Sequence, residues 1–111
     1  MTSPLQEPTF LILAALANEP MHGYGVIQEV AALSDGRVRL RPGTLYGAID
    51  RLVEQELVRA DREEIVDGRL RRYYRLTDTG AALLEAEAKR LASNAAAAVS
   101  RLRSRRAPAH G

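Results

Sequence analysis

The chain has no cysteine and no tryptophan, only one phenylalanine and only two histidines. Without cysteine it can form neither a disulfide nor a thiolate metal site, and its redox compartment is left unmarked. His22 and His110 do not make a ligand cluster, so no metal or other cofactor is expected. Lysine and arginine are missing from the first 36 residues, which removes the positive n-region of a secretory signal. The apolar run Phe10 to Ala17 is too short to span a bilayer. These absences lead to the expectation of a cytoplasmic protein with no membrane partner. Enzyme activity is not expected either. No Ser-His-acid set is implied, Gly23-Tyr24-Gly25 lacks the spacing of a phosphate loop, and the acids fall on solvent faces.

What is present is unevenly spread. At 111 residues the chain has the length of one domain with a modest core. Net charge is only +2, yet residues 37 to 111 hold all 16 basic residues against ten acids, a net of +6. A basic half on a near-neutral protein suggests one cationic face suited to a polyanion. The blander reading is that arginine-rich, alanine-rich chains reflect genomic composition.

Residues 1–8 contain two prolines and read as a flexible amino-terminal arm. Thr9 can cap a first helix, Phe10 to about Asn18, apolar nearly all round and so suited to a core or a subunit contact. A second helix is expected from Gly23 to Leu33, with Val26, Ile27 and Val30 inward, ended by Ser34-Asp35-Gly36. Arg37 to Arg41 is a basic connector with room for one short strand. A third helix is expected from Pro42 to about Glu56, with Pro42 suited to its first turn. It carries Leu45, Ile49, Leu52 and Val53 as one apolar stripe. Two strands, about Leu57 to Val66 and Arg69 to Leu76, should turn at Asp67-Gly68, a pair that tolerates the positive φ of a type I′ turn.

Thr77-Asp78 opens a last helix, expected to reach Arg106 before a tail at 107–111. Leu84, Ala88, Leu91, Ala95, Ala98 and Leu102 step by 4, 3, 4, 3, 4 along it, a heptad seam. Such a helix is roughly 45 Å long, whereas the preceding part has a diameter of about 25–30 Å. It cannot cover the seam, and a second copy of the same helix is the expected cover, with Phe10 and Leu11 of the first helix joining the interface. The plainer alternative is one long surface helix of high alanine propensity.

The fold these elements predict is mainly α with a small β-hairpin wing: a winged helix-turn-helix, residues 9–77, plus a long carboxy-terminal dimerisation helix, residues 78–106. In that layout the third helix presents its amino-terminal turn to the major groove of DNA. With Leu45 and Ile49 inward, Gly43, Thr44, Tyr46, Gly47 and Asp50 face out, just after Arg41. Free amides at the helix start favour an anion. Tyr46 could instead pack against the wing. The first turn of the second helix touches the phosphate backbone in this fold, which marks His22 and Tyr24, although His22 could equally be a helix cap. In the wing, Glu64 should oppose Arg71 and Glu63 oppose Arg72, leaving Arg69 at the tip free for a phosphate or the minor groove, with Arg71 also among the expected DNA-binding residues. Tyr74 and Leu76 should face the core.

The wording PMHGYGVI, PGTLYGAIDRL and RRYYRLT, three motifs in order at the right spacing, resembles the PadR family of transcriptional regulators over residues 9 to 80. The resemblance implies a homodimeric repressor that binds a pseudo-palindromic double-stranded operator through Thr44, Tyr46 and Arg69. It also implies a small aromatic or drug-like effector near the dimer interface. Any pocket for one would rely on Phe10, Leu11, Leu84 and Leu91, since no tryptophan can stack a planar ligand. Three positions depart from the family's wording: Gly25 where a glutamate would complete a capping box, Gly47 for a proline, and Glu56 for a C-cap glycine. From another class, the chain could be an interaction module whose last helix pairs with a different protein.

Overall fold

A computed structural model describes residues 4–106. Four helices and three short strands follow in the order α1 (Glu7–Leu16), β1 (Met21–His22), α2 (Gly23–Leu33), α3 (Pro42–Glu54), β2 (Val58–Val66), β3 (Arg69–Leu76) and α4 (Asp78–Arg106). The expected winged helix-turn-helix with a long last helix is the observed architecture.

The first helix starts earlier than Thr9. Gln6 is its N-cap and Pro8 lies in its first turn, where a fixed φ and a missing N–H cost nothing. The expected arm is correspondingly shorter. Leu5 packs against the core, and its N–H donates to Glu87 Oε2 at 3.1 Å. Glu87 is buried on α4 and also accepts both arms of the Arg90 guanidinium. Residues 1–3 and the tail at 107–111 lie outside the described residues.

Ile12, Leu13, Val26, Val30, Leu45, Ile49 and Val58 form the centre of one core drawn from α1, α2, α3 and β2. The α3 stripe needs one correction. Leu45, Ala48, Ile49 and Leu52 are buried, while Val53 is 40 % exposed. At 3.6 residues per turn Ala48, Ile49 and Leu52 fall within about 60° of Leu45, whereas Val53 lies about 80° round, at the edge of the stripe.

α3 also stops at Glu54, two residues short of the expectation. Glu56 takes a left-handed backbone, φ +63°. Its N–H donates to the Val53 carbonyl and that of Leu57 to the Leu52 carbonyl, both at 2.9 Å. This is a Schellman cap built without the usual glycine. The same motif ends α2 through Asp35 and Gly36, whose N–H groups reach the Ala32 and Ala31 carbonyls.

The sheet has the order β1-β3-β2. Its third strand is Met21–His22, paired with Tyr74 and Tyr73, and not the connector Arg37 to Arg41. That connector is held otherwise: Val38 N–H donates to Ser34 Oγ, which itself donates to the Val30 carbonyl. In the wing, Asp67 and Gly68 both have positive φ, as the turn requires. A register shift between Ala60 and Glu63 inserts one extra residue opposite Tyr73, a β-bulge. Below and above it Val58, Ala60, Glu63 and Ile65 therefore share a face with Leu76, Tyr74, Arg72 and Leu70. The core end of that face covers α3.

Thr77 caps α4. Its Oγ1 accepts from Gly80 N–H at 2.9 Å and donates to the Glu56 carbonyl at 2.7 Å, so the helix start is tied to the end of α3. Its 29 residues make the molecule 73 Å long against 30 and 22 Å across. From Ala88 to Arg106 every residue is exposed. The body reaches only the first third of the helix.

Candidate nucleic-acid interface

The amino end of α3 is open. Arg41, its N-cap, has an extended backbone and makes no side-chain cap bond. Pro42 follows, and a Cβ on Gly43 would have no neighbour within 4 Å. Thr44 is exposed beside it. The first-turn amides thus face solvent without a side-chain acceptor, a polarised end that favours an anion.

Tyr46 is 45 % exposed, but it does not simply project outward. Its phenol end lies over Gly23, at the start of α2, where any Cβ would overlap the hydroxyl. The Tyr74 phenol of β3 is held above its ordinary value by burial first, then by Tyr46. Tyr46 thus seats the first turns of α3 on the start of α2. Gly47 is half-buried and Asp50 exposed.

His22 is the N-cap of α2. Its Nδ1 accepts from Gly25 N–H at 3.2 Å, the N-cap half of a capping box whose reciprocal glutamate is replaced by Gly25. Its ring meets Tyr73 edge-on, with centroids 5.4 Å apart. Arg62 lies over the other part of that stack, 4.0 Å from the Tyr73 centroid. Burial, and then the positive charge of Arg71, hold the His22 pKa below its ordinary value. Tyr24, one turn on, is exposed.

The wing pairs its charges selectively. The register sets Glu63 against Arg72 and Glu64 against Arg71, as expected. Arg72 bridges Glu63 at 3.2 Å. Arg71 does not claim Glu64, because the bulge brings Arg62 to that carboxylate at 2.8 Å. Arg75 takes Asp61. Among the described residues Arg69 and Arg71 of β3 are left without an ion pair, as are Arg59 of β2 and Arg41 at the start of α3. The bulge was not legible in the strand pattern, and it is what leaves Arg71 unpaired.

Along the heptad seam, Leu84 is half-buried against the chain's own core, together with Leu11 of α1. Ala88, Leu91, Ala95, Ala98 and Leu102 are exposed. Phe10, Leu11 and Leu91 line a cavity of about 200 Å³ with Leu5 and Glu7; Leu84 does not reach it. Sequence reasoning also passed over two exposed apolar side chains in the wing, Ile65 and Leu70. Their alternation with charged neighbours beyond the last core residue was the available signal.

A helix pair with an open recognition helix, joined to a hairpin bearing unpaired arginines, defines the chain as a winged-helix protein. It belongs to the PadR-like family of transcriptional regulators, whose family model matches residues 12–86. Membership makes it a regulator and not an enzyme. The chain is 39 % identical to the transcriptional regulator Rv3488 of Mycobacterium tuberculosis over 80 residues, 72 % of this chain and 71 % of that protein. It is 44 % identical over 82 residues to an uncharacterised 37.1 kDa protein of a Streptomyces fradiae transposon. That match takes in 74 % of this chain but spans only 22 % of the relative's length. Among solved structures, a PadR family transcription regulator of Clostridium difficile superposes with a TM-score of 0.73 at 22 % identity, covering 87 % of this chain and 99 % of that one. Bacillus subtilis PadR in complex with operator DNA superposes with a TM-score of 0.63 at 18 % identity, over 72 % of this chain and 46 % of that one.

Proposed function

We propose that this chain is a sequence-specific DNA-binding repressor, acting in the cytoplasm as a homodimer on a pseudo-palindromic operator. The observation that carries the reading is the open start of the recognition helix, and three elements enter the proposal. These are the open start of α3 with Arg41, Gly43, Thr44, Tyr46 and Gly47, the start of α2 with His22 and Tyr24, and the wing with Arg69 and Arg71. In this role Thr44 and Tyr46 face base edges, while Tyr24, the helix-start amides and the two wing arginines hold phosphates. His22 acts as the cap that fixes the start of α2. The operator complex of the Bacillus subtilis protein, on the same fold, supports the DNA partner.

Homodimerisation is supported by the uncovered seam: Ala88, Leu91, Ala95, Ala98 and Leu102 are exposed along a helix that its own body touches there only at Leu91. Phe10, Leu11 and Leu84 extend the interface at its inner end. A small aromatic or drug-like effector would enter beside the cavity of about 200 Å³ that Leu5, Glu7, Phe10, Leu11 and Leu91 line. Its release of DNA would act through the same dimer contact.

A duplex selected from a randomised library by the full chain supplies the test. Binding should weaken steeply with salt, since each neutralised phosphate releases counterions, and Arg69→Ala should lower the salt slope by about one. A chain that selects no duplex, yet pairs with another protein through α4 at all salt concentrations, would be an interaction module instead.

A further inference from the structure

Ile65 and Leu70 form a cross-strand pair one step from the wing turn. They are 77 % and 57 % exposed. They lie on the face that, farther down the hairpin, carries Tyr74, Leu76 and Val58 into the core. Leu70 is six residues beyond Leu76, roughly 20 Å at strand rise, so the core cannot cover it. Leu70 is flanked in sequence by Arg69 and Arg71, two wing arginines with no ion pair among the described residues. An apolar pair backed by two unpaired cations on the other face of the hairpin suits a ligand that offers both anionic and apolar surface.

We propose that the Ile65–Leu70 pair is an apolar wedge that the wing sets into the minor groove of bound DNA, prising open a base step and bending the duplex. This rests on the DNA-binding reading above and adds a deformation to it. Size makes the deformation obligatory. The two strands alone are about 4.8 Å apart, and with side chains on both they exceed a minor groove about 6 Å wide. Entry widens the groove, and inserted Ile or Leu side chains partly unstack a step and bend the duplex towards the major groove. Arg69 and Arg71, on the opposite face of the hairpin from Leu70, then meet the phosphates of the groove wall. The step beneath the tip should be a pyrimidine–purine step, because these unstack most easily. The operator would thus be read at a position that no polar side chain touches.

The experiment uses the full chain and a duplex selected by it from a randomised library, labelled with a dye at each end. Energy transfer between the ends reports bending. Ile65→Thr/Leu70→Thr puts a β-branched strand former at both positions and leaves every arginine in place, and Ile65→Thr alone serves if the double variant melts early. The wild type should shorten the end-to-end distance and select a pyrimidine–purine step at a fixed offset from each half-site. The threonine variants should bind about ten-fold more weakly, with an unchanged salt slope and a straight duplex. A wild type that binds without bending, or a variant that bends as much as wild type, overturns the wedge while leaving DNA binding intact. Loss of self-association in the variants with bending preserved would make the pair a protein contact, and would also overturn it. Failure of the wild type to select any duplex would remove the DNA-binding reading itself.

Discussion

The phenol of Tyr46 rests on the backbone of Gly23, so the recognition helix is seated on the start of α2 through a contact only glycine permits. Gly23 is the first residue of α2 and is buried. Alanine there would otherwise be the better helix former, yet its methyl would occupy the place of the tyrosine hydroxyl. This relationship gives Gly23 a task in positioning a side chain proposed to face DNA.

Gly23→Ala should therefore displace Tyr46 and weaken operator binding by on the order of 1–3 kcal/mol per subunit, as Tyr46→Ala does. The double variant should be no worse than Tyr46→Ala alone, because the overlap is gone once the ring is removed. Titration of a labelled duplex with the four proteins, beside thermal melts, gives the coupling. Additive losses would mean that Gly23 and Tyr46 act separately.

Leu91 lies in the seam, exposed along α4 and touched in the body only at the small cavity beside Phe10 and Leu11. A glutamate there meets solvent in the monomer but a facing helix in a dimer. Leu91→Glu should yield a folded monomer with unchanged helical circular dichroism, resolved by light scattering. A persistent dimer would place the interface elsewhere.

Glu56 holds a left-handed φ of +63° at the end of α3, a conformation that disfavours any residue with a Cβ by about 1–2 kcal/mol. Its bonds in the cap are all made by the backbone. Glu56→Gly should stabilise the fold by about 1 kcal/mol after glycine's greater entropy loss is set against the relief. That corresponds to a rise in melting temperature of about 4–8 °C. DNA affinity should not change. A lower melting temperature would mean that the glutamate side chain contributes more than the strained backbone costs.

His22 must stay neutral at Nδ1 to accept the Gly25 N–H, and burial, aided by Arg71, holds its pKa below the ordinary 6.5. The unfolded chain then takes up a proton near pH 6.5 that the folded cap resists. Stability should be full above that pH and be lost as pH falls through it. Glu7, Glu64 and Glu87 also have lowered values, but from an ordinary value of 4.5, so their contributions are lost in more acid solution. Asparagine caps a helix without titrating. Melting temperature measured from pH 7.5 to 5.5 should fall for wild type and hold nearly level for His22→Asn. Parallel curves would show that another group titrates in this range.

Local chemistry made much of this protein legible in advance. Positive φ at Asp67 and Gly68, the bounds of α2 and the long exposed α4 all follow from residue type and from periodicities of 3.6 or 2, which act over a few neighbours. The open turn of α3 was legible too, because the burial of Leu45 and Ile49 turns Gly43 and Thr44 outward. Other features depended on residues far apart in sequence. The third strand exists because Met21 and His22 meet Tyr74 and Tyr73 some fifty residues on, a pairing no local pattern encodes. The bulge at Asp61-Arg62 reassigns Glu64 to Arg62 and leaves Arg71 unpaired. Glu56 is forced into a left-handed turn because Thr77 must reach its carbonyl and Leu57 must return to the core. Sequence determined which elements form and which faces are apolar, since those are set within one or two turns of chain. Tertiary packing alone decided that Tyr46 lies on Gly23 and that the His22 ring meets Tyr73 under Arg62, because each needs side chains that meet only once the helices and the sheet are docked.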